Sequence, residues 1–489
     1  MSTRRRPVLV GAGVASQRED DPLRAVEAIE LMARALARAG ADAGAAGLLR
    51  EADSIRVTKG FWGYSDPGRL LARQVGAARA RTELAEIGVL QTTLLGEAAR
   101  AIAAGDEQVA VVVGGEAKYR SLRESITGRV APVTAQTDEM PDRLLRPAEE
   151  ILSPIELEHG LVMPVQQYAV LENALRRADG VGVAEHRREI GRLWAGMSRV
   201  AAGNPDAWSR AVATEDELAG ESEHNQMLAF PYTKRLTSQW NVDQAAALLL
   251  CSEKVADAAG VPPERRVYPW AAADSNFMAP VVRRRELARS PGFERTGARV
   301  LERTGIGIGD IAHLELYSCF PVAVRLQMRA LGIGPERAIT ECGGMAFAGG
   351  PLNNFVYQAL ARMVGVLRAD PGTLGLVTAV SGMLTKQGVT LWSTRPPRQE
   401  FTFDDVSGEV ARCSPLAEIE PRPAGPAQIA STTVLYEGGR PAAAILVCDL
   451  PGGRRALARS MDPELVEHAT IEEIGGRGVE LGSAGPRLR

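Results

Sequence analysis

Residues 341–354 read Glu341-Cys-Gly-Gly-Met-Ala-Phe-Ala-Gly-Gly-Pro-Leu-Asn-Asn354. Four glycines, a proline and two asparagines stand just ahead of an apolar-periodic run, 352–368, that predicts a long helix. Such a loop brings backbone N–H groups and side-chain amides close to a ligand, or simply turns where φ must be positive. Upstream, 313–317 predicts a strand and 321–331 a helix, joined through Glu315-Leu-Tyr-Ser-Cys-Phe-Pro321. Ligands of α/β sheets gather at the carboxyl ends of strands. Tyr317 is therefore a candidate acid or hydrogen-bond donor and Cys319 a candidate nucleophile. The alternative is a packed tyrosine and a cysteine serving as a small hydrophobe. No histidine nearby in sequence offers Cys319 an activating base. Downstream, 374–380 and 388–394 predict strands around Gly382-Met-Leu-Thr-Lys386, a turn where Lys386 meets an anion or stays in water.

The first half of the chain repeats this order of elements. Strands are expected at 8–10, 54–58, 83–87, 109–113 and 244–251. Helices are expected at 22–39, from 67, at 89–104 and at 253–259, the first with Asp21 as N-cap, Pro22 at N1 and Gly40 as its stop. Further on come a strand at 269–273 and a helix at 294–303. Strands alternating with helices mean an α/β sheet, and two similar halves imply a groove between them. Residues 118–235 break the alternation; they are polar, Arg-rich and helical at 165–177 and 184–197, as expected of an insertion. After Arg395-Pro-Pro-Arg the pattern turns to short strands, at 401–403, 429–435, 442–448, 455–458 and 478–481, with a hairpin turn at Glu437-Gly-Gly-Arg. About 90 residues of this kind suit a small OB-like barrel. The division is thus 1–117 with 236–262, then 118–235, 263–396 and 398–489.

Composition narrows the function classes. The 489 residues are 45% hydrophobic and 24% charged, which excludes a largely disordered chain. A net charge of −3 speaks against general nucleic-acid binding, and no run approaches the ~18 apolar residues of a membrane span. Five scattered cysteines without a CxxC pair suit reduced thiols in a cytoplasmic protein. Five equally scattered histidines predict no metal site. The basic N-terminus, Met1-Ser-Thr-Arg-Arg-Arg, faintly mimics a signal peptide, but its apolar run is short and reads as a first strand. Val10-Gly-Ala-Gly-Val-Ala-Ser16 is too far from the next helix to cradle a pyrophosphate. Neither a GxSxG elbow nor a P-loop occurs.

Three segments together carry a family resemblance: Ala101-Ile-Ala-Ala-Gly-Asp-Glu-Gln-Val-Ala-Val-Val-Val-Gly-Gly-Glu116, Asp243-Gln-Ala-Ala-Ala-Leu-Leu-Leu250 and Gly343-Gly-Met-Ala-Phe-Ala-Gly-Gly-Pro-Leu352. In these the chain resembles the thiolase superfamily, and most of all its sterol-carrier-protein-type thiolase-like members with an added C-terminal domain. The resemblance implies a two-repeat αβαβα fold, an inserted loop domain, no covalent cofactor, and CoA or acyl-CoA as ligand. It places the family's nucleophilic cysteine at Gly88, its activating histidine at Gly350, its His-Asp-Cys-Phe motif at Tyr317-Ser-Cys-Phe320 and its second cysteine near Ser381-Gly382. Without a thiolate no acyl-enzyme forms, so the family's thiolysis is not expected. Ligand contacts are expected from Gly88, Gly349, Gly350, Asn353, Asn354, Ser381 and Gly382, with phosphate charge met by Arg143–Arg146 or Arg187-Arg188. Tyr317 replaces the motif histidine, as a thiolase-fold lyase acting on thioesters with an OB-fold partner would require. A non-catalytic scaffold is the third reading. Family members commonly dimerise through the third strand, near 83–87, but Arg81-Thr-Glu-Leu-Ala-Glu86 puts two acids in that segment and the added domain could mask it, so monomer and homodimer both stay open, as does a protein partner.

Overall fold

The computed structural model describes residues 5–483 and 485–489; the first four residues of the basic N-terminus lie outside them. The first half comprises β1 (Pro7–Gln17), α1 (Ala28–Ala43), β2 (Ser54–Thr58), α2 (Pro67–Val75), β3 (Arg81–Ala85), α3 (Gln91–Ala104) and β4 (Val109–Ala117). The insertion follows as α4 (Lys118–Thr127), β5 (Arg143–Leu145), α5 (Pro154–Glu158), α6 (Pro164–Ala178), α7 (Val183–Ala202), α8 (Glu215–Ala219), β6 (Met227–Ala229) and β7 (Tyr232–Thr233). The chain then returns through β8 (Asp243–Ser252) and α9 (Glu253–Ala258). The second half contains β9 (Tyr268–Ser275), α10 (Pro291–Thr304), β10 (His313–Glu315), α11 (Pro321–Leu331), α12 (Phe355–Ala369), β11 (Gly375–Ser381) and β12 (Lys386–Ser393). The tail contributes β13 (Thr402–Asp405), α13 (Ser407–Arg412), β14 (Gly425–Glu437), β15 (Arg440–Asp449), β16 (Arg455–Ser460), α14 (Pro463–Ile471), β17 (Gly478–Leu481) and β18 (Arg487–Leu488).

The two halves are built alike. One sheet runs β1-β8-β4-β2-β3-β5, the other β13-β9-β12-β11-β10. The succession β1-β8-β4-β2 is antiparallel, antiparallel, parallel, and β9-β12-β11-β10 repeats it. Helices α3 and α12 lie between the sheets, α3 against β4, β9 and β12, α12 against β11, β8 and β1. Outside, α1 covers β1, β8 and β4, and α10 covers β9 and β12. The result is five layers, α-β-α-β-α, with apolar strands such as Val109–Val113 buried on both faces.

Several boundaries differ from expectation. The Asp21-Pro22 signal makes only a turn, in which Arg24 and Ala25 donate back to the Asp21 carbonyl. Helix α1 begins at Ala28 and stops at Gly44, whose φ is +68°. Gly40 lies inside that helix, where an added Cβ would sit 2.8 Å from Leu49 Cδ1, so its smallness serves packing. The strand around Phe403 does not belong with the tail strands. As β13 it pairs in parallel with β9, and Phe403 packs against Gly96 of α3. The remaining tail strands form a sheet ordered β16-β15-β14-β17-β18, and β6 of the insertion joins it, Ala229 opposite Leu435. The outer edge of β3 is occupied by β5, so the segment covering it comes from the insertion and not from the added domain.

Candidate functional site

Loops at the sheet ends converge on one cavity of about 340 Å³ between the halves. Gly88 and Gln91 reach it from the β3–α3 turn, Tyr317 and Cys319 from the β10–α11 turn. Met345, Gly350, Leu352 and Asn353 come from the glycine-rich loop, and Ser381, Gly382 and Met383 from the β11–β12 turn. The insertion supplies a roof that includes Met163 and Tyr168 of α6 and its leading turn, with Ser238 and Trp240 from the return to β8.

Hydrogen bonds fix the glycine-rich loop before any ligand arrives. The buried Glu315 carboxylate accepts from the N–H groups of Glu341 (2.7 Å) and Cys342 (2.8 Å) and from Thr340 Oγ1 (2.9 Å). Ser318 Oγ accepts from the Met345 N–H at 3.0 Å. At Gly343, φ is +96° and an added Cβ would lie 2.3 Å from the Ala201 nitrogen of α7, so only glycine lets the loop touch that helix backbone. Among the described residues, three non-glycine residues have positive φ, namely Leu352 (41°), Met383 (50°) and Leu384 (68°). Leu352 and Met383 line the cavity, and Leu384 follows Met383 in the same turn. Backbone strain of this kind concentrates at ligand clamps and active sites.

Of the expected site residues, Gly88, Tyr317, Cys319, Gly350, Asn353, Ser381 and Gly382 line the cavity together. Gly349 and Asn354 are not part of its lining. An added Cβ at Gly349 would meet Gln244 Oε1 at 2.0 Å, and Asn354 turns toward Gly114 and Thr58. Gly88, where the resemblance puts the nucleophile, has φ of +104°, with Pro147 and Ile151 filling the space ahead of its Cα. Gly350, where the resemblance puts the histidine, faces Ser238, whose Oγ would be 2.0 Å from a Cβ. Burial pushes the Cys319 thiol up to about 12, which disfavours a thiolate despite the opposing hydrogen bond from Tyr168. Burial likewise raises Tyr317, keeping the phenol protonated and fit to donate a hydrogen bond. Tyr168 stacks on Phe320, ring centroids 4.4 Å apart, and closes the cavity beside Cys319.

Lys386 neither meets an anion in a turn nor stays in water. It opens β12, is 1% exposed, and its Nζ donates to the Gly88 carbonyl at 2.9 Å. Burial lowers its pKa, and it ties the β11–β12 turn to the β3–α3 turn. The arginines expected to meet phosphate are engaged within the chain. Arg143 pairs with Glu97 and Glu83, Arg146 with Glu86, Arg187 with Glu221 and Arg188 with Glu185. The sequence reading missed Gln91, Ser238 and the roof residues. Gln91 had a signal, a polar residue opening an apolar helix; the roof had none, because α6 lies about 150 residues from the loops it covers.

Two repeated sheets enclosing α3 and α12, with a cavity where their loops meet, define the thiolase fold, which the chain shares with solved thiolases and thiolase-like proteins. No protein-family model matches the chain. Over its whole length, and over all of the other chain, it is similar to a monomeric SCP2-thiolase-like protein type 1 from Mycobacterium smegmatis, with 29% identity and a TM-score of 0.84. The Ltp2-ChsH2(DUF35) aldolase shares the fold at a TM-score of 0.61 and 20% identity, over 80% of this chain and 99% of that one. Benzoylsuccinyl-CoA thiolase subunit BbsB of Thauera aromatica is 26% identical over 185 residues, 38% of this chain. The match spans only 45% of that curated relative. Among the described residues no helix is long and apolar enough to cross a membrane.

Proposed function

We propose that the protein binds CoA thioesters in this cavity and does not perform nucleophilic thiolysis. The observation that carries the reading is the cavity itself, apolar and walled by two strained loops, with glycine at 88 and at 350, where the family resemblance puts the nucleophile and the histidine. Apolar walls suit an acyl group, and a few placed polar groups suit its thioester. Calorimetric titration with CoA and hexanoyl-CoA tests this, alongside thiolysis of acetoacetyl-CoA. Micromolar binding without turnover is expected; absence of binding by either ligand would overturn the reading. The tail sheet is read as OB-like. Occupation of the β3 edge by β5 favours a monomer.

Tyr317 supports a second reading, a lyase acting on thioesters. Its protonated phenol stands in the cavity wall and could donate to an enolate oxygen, while a retro-aldol cleavage needs no covalent adduct. Tyr317→Phe would abolish such an activity, and a full rate in that variant would exclude it.

A further inference from the structure

The cavity wall carries a pair of side-chain amides. Gln91 is 1% exposed and Asn353 8% exposed, and both residues line the cavity. Gln91 Nε2 donates to Asn353 Oδ1 at 2.9 Å. That bond leaves Gln91 Oε1 and Asn353 Nδ2 without a partner. Amide orientations are assigned from hydrogen bonding, yet the count does not depend on the choice. Turning both amides together keeps their mutual bond and again leaves one acceptor and one donor.

Buried polar atoms without partners are costly, so a ligand that completes them is favoured over one that does not. Both amides are neutral, and their complement is a neutral group with an acceptor and a donor side by side. We infer that the Gln91–Asn353 pair selects 3-hydroxyacyl thioesters. The thioester oxygen and the 3-hydroxyl sit on atoms one and three of the acyl chain, close enough to reach adjacent partners. The carbonyl accepts from one amide and the hydroxyl donates to the other. A 3-ketoacyl thioester brings two acceptors and sets one against the amide oxygen. A saturated acyl thioester brings only one and leaves that oxygen unpaired. The selection rests on the reading of this cavity as a thioester site.

The test is calorimetry of the full chain with hexanoyl-CoA, 3-ketohexanoyl-CoA and each enantiomer of 3-hydroxyhexanoyl-CoA. One hydroxy enantiomer is expected to bind at least about tenfold more tightly than the other acyl chains, or ~1.4 kcal/mol. Gln91→Met is expected to shrink that preference to about twofold or less. Equal affinities in the wild-type protein overturn the selection and leave the thioester site standing. Failure of every thioester to bind overturns both. A preference that survives in folded Gln91→Met, and again in Asn353→Leu, overturns its assignment to this pair. Should either variant not fold, the wild-type series still decides the selection.

Discussion

Restoring the two residues that the family resemblance would place at Gly88 and Gly350 should damage the fold without creating a thiolase. In Gly88→Cys the new side chain must accept a φ of +104°. Holding a non-glycine residue there costs about 1–3 kcal/mol. Its Cβ would also stand 3.2 Å from Pro147 Cγ, adding about 1 kcal/mol of crowding. In Gly350→His the Cβ would lie 2.0 Å from Ser238 Oγ and 3.2 Å from Met345 Cε, for roughly a further 1–3 kcal/mol. The sites flank one cavity, so the terms need not add, and the double variant should lose roughly 3–6 kcal/mol. At about 1 °C per kcal/mol for a chain of 489 residues, its thermal transition should fall by about 3–6 °C. Gly63→Ala is the control, since a Cβ there meets nothing within 4 Å. Thiolysis of acetoacetyl-CoA, followed by loss of its enolate absorbance, should stay at background. A double variant that melts within about 2 °C of the wild type would refute the steric reasoning. Robust turnover would refute the claim that this backbone no longer accommodates the nucleophile.

Gly343→Ala should be more destabilising than either single change, by roughly 3–5 kcal/mol, because the obstacle is the Ala201 backbone and φ is +96°; a melting point near that of the wild type would contradict the close contact between loop and α7. Asp274 is pushed up to about 7 by burial, opposed by the Thr93 hydroxyl and reinforced by Asp405 on the adjoining strand. The folded state therefore holds this proton where the unfolded state releases it, and stability should decline as pH rises from about 4 to about 7. Asp274→Asn should flatten that decline in urea titrations across the window; an unchanged slope would show that the group titrates normally.

Much of the fold was written locally. The span 54–58 of β2 and the span 321–331 of α11 fall where apolar pattern and proline signals put them. The glycine-rich loop likewise announced a site wall by composition alone. What escaped was decided by partners distant in sequence. Asp21 and Pro22 carry a helix-start signal, but the chain spends it on one turn because α1 must begin where its apolar face meets β1 and β8. Phe403 lies in a four-residue strand whose partner no local pattern names; Gly96 on α3 makes room for it. Lys386 reads as a turn lysine because its acceptor, the Gly88 carbonyl, is 298 residues away. The amide pair of Gln91 and Asn353 spans 262 residues, so the donor and acceptor it leaves over were invisible until the halves were brought together.

The strand β6 gives this molecule an order of assembly. The Phe230 carbonyl accepts from Asn173 Nδ2 at 3.0 Å and from Thr433 Oγ1 at 2.9 Å, and Ser431 Oγ donates to the Val170 carbonyl of α6 at 2.7 Å. Thr433 follows Phe230 by 203 residues. At ~5–20 residues per second, a ribosome needs about 10–40 s to cover that interval. Until then α6, which carries Tyr168 over the cavity, lacks its support from β14. A nascent chain halted before residue 425 would thus hold a site with its floor in place and its roof unpinned, and strand β6 would offer its free edge to whatever was near.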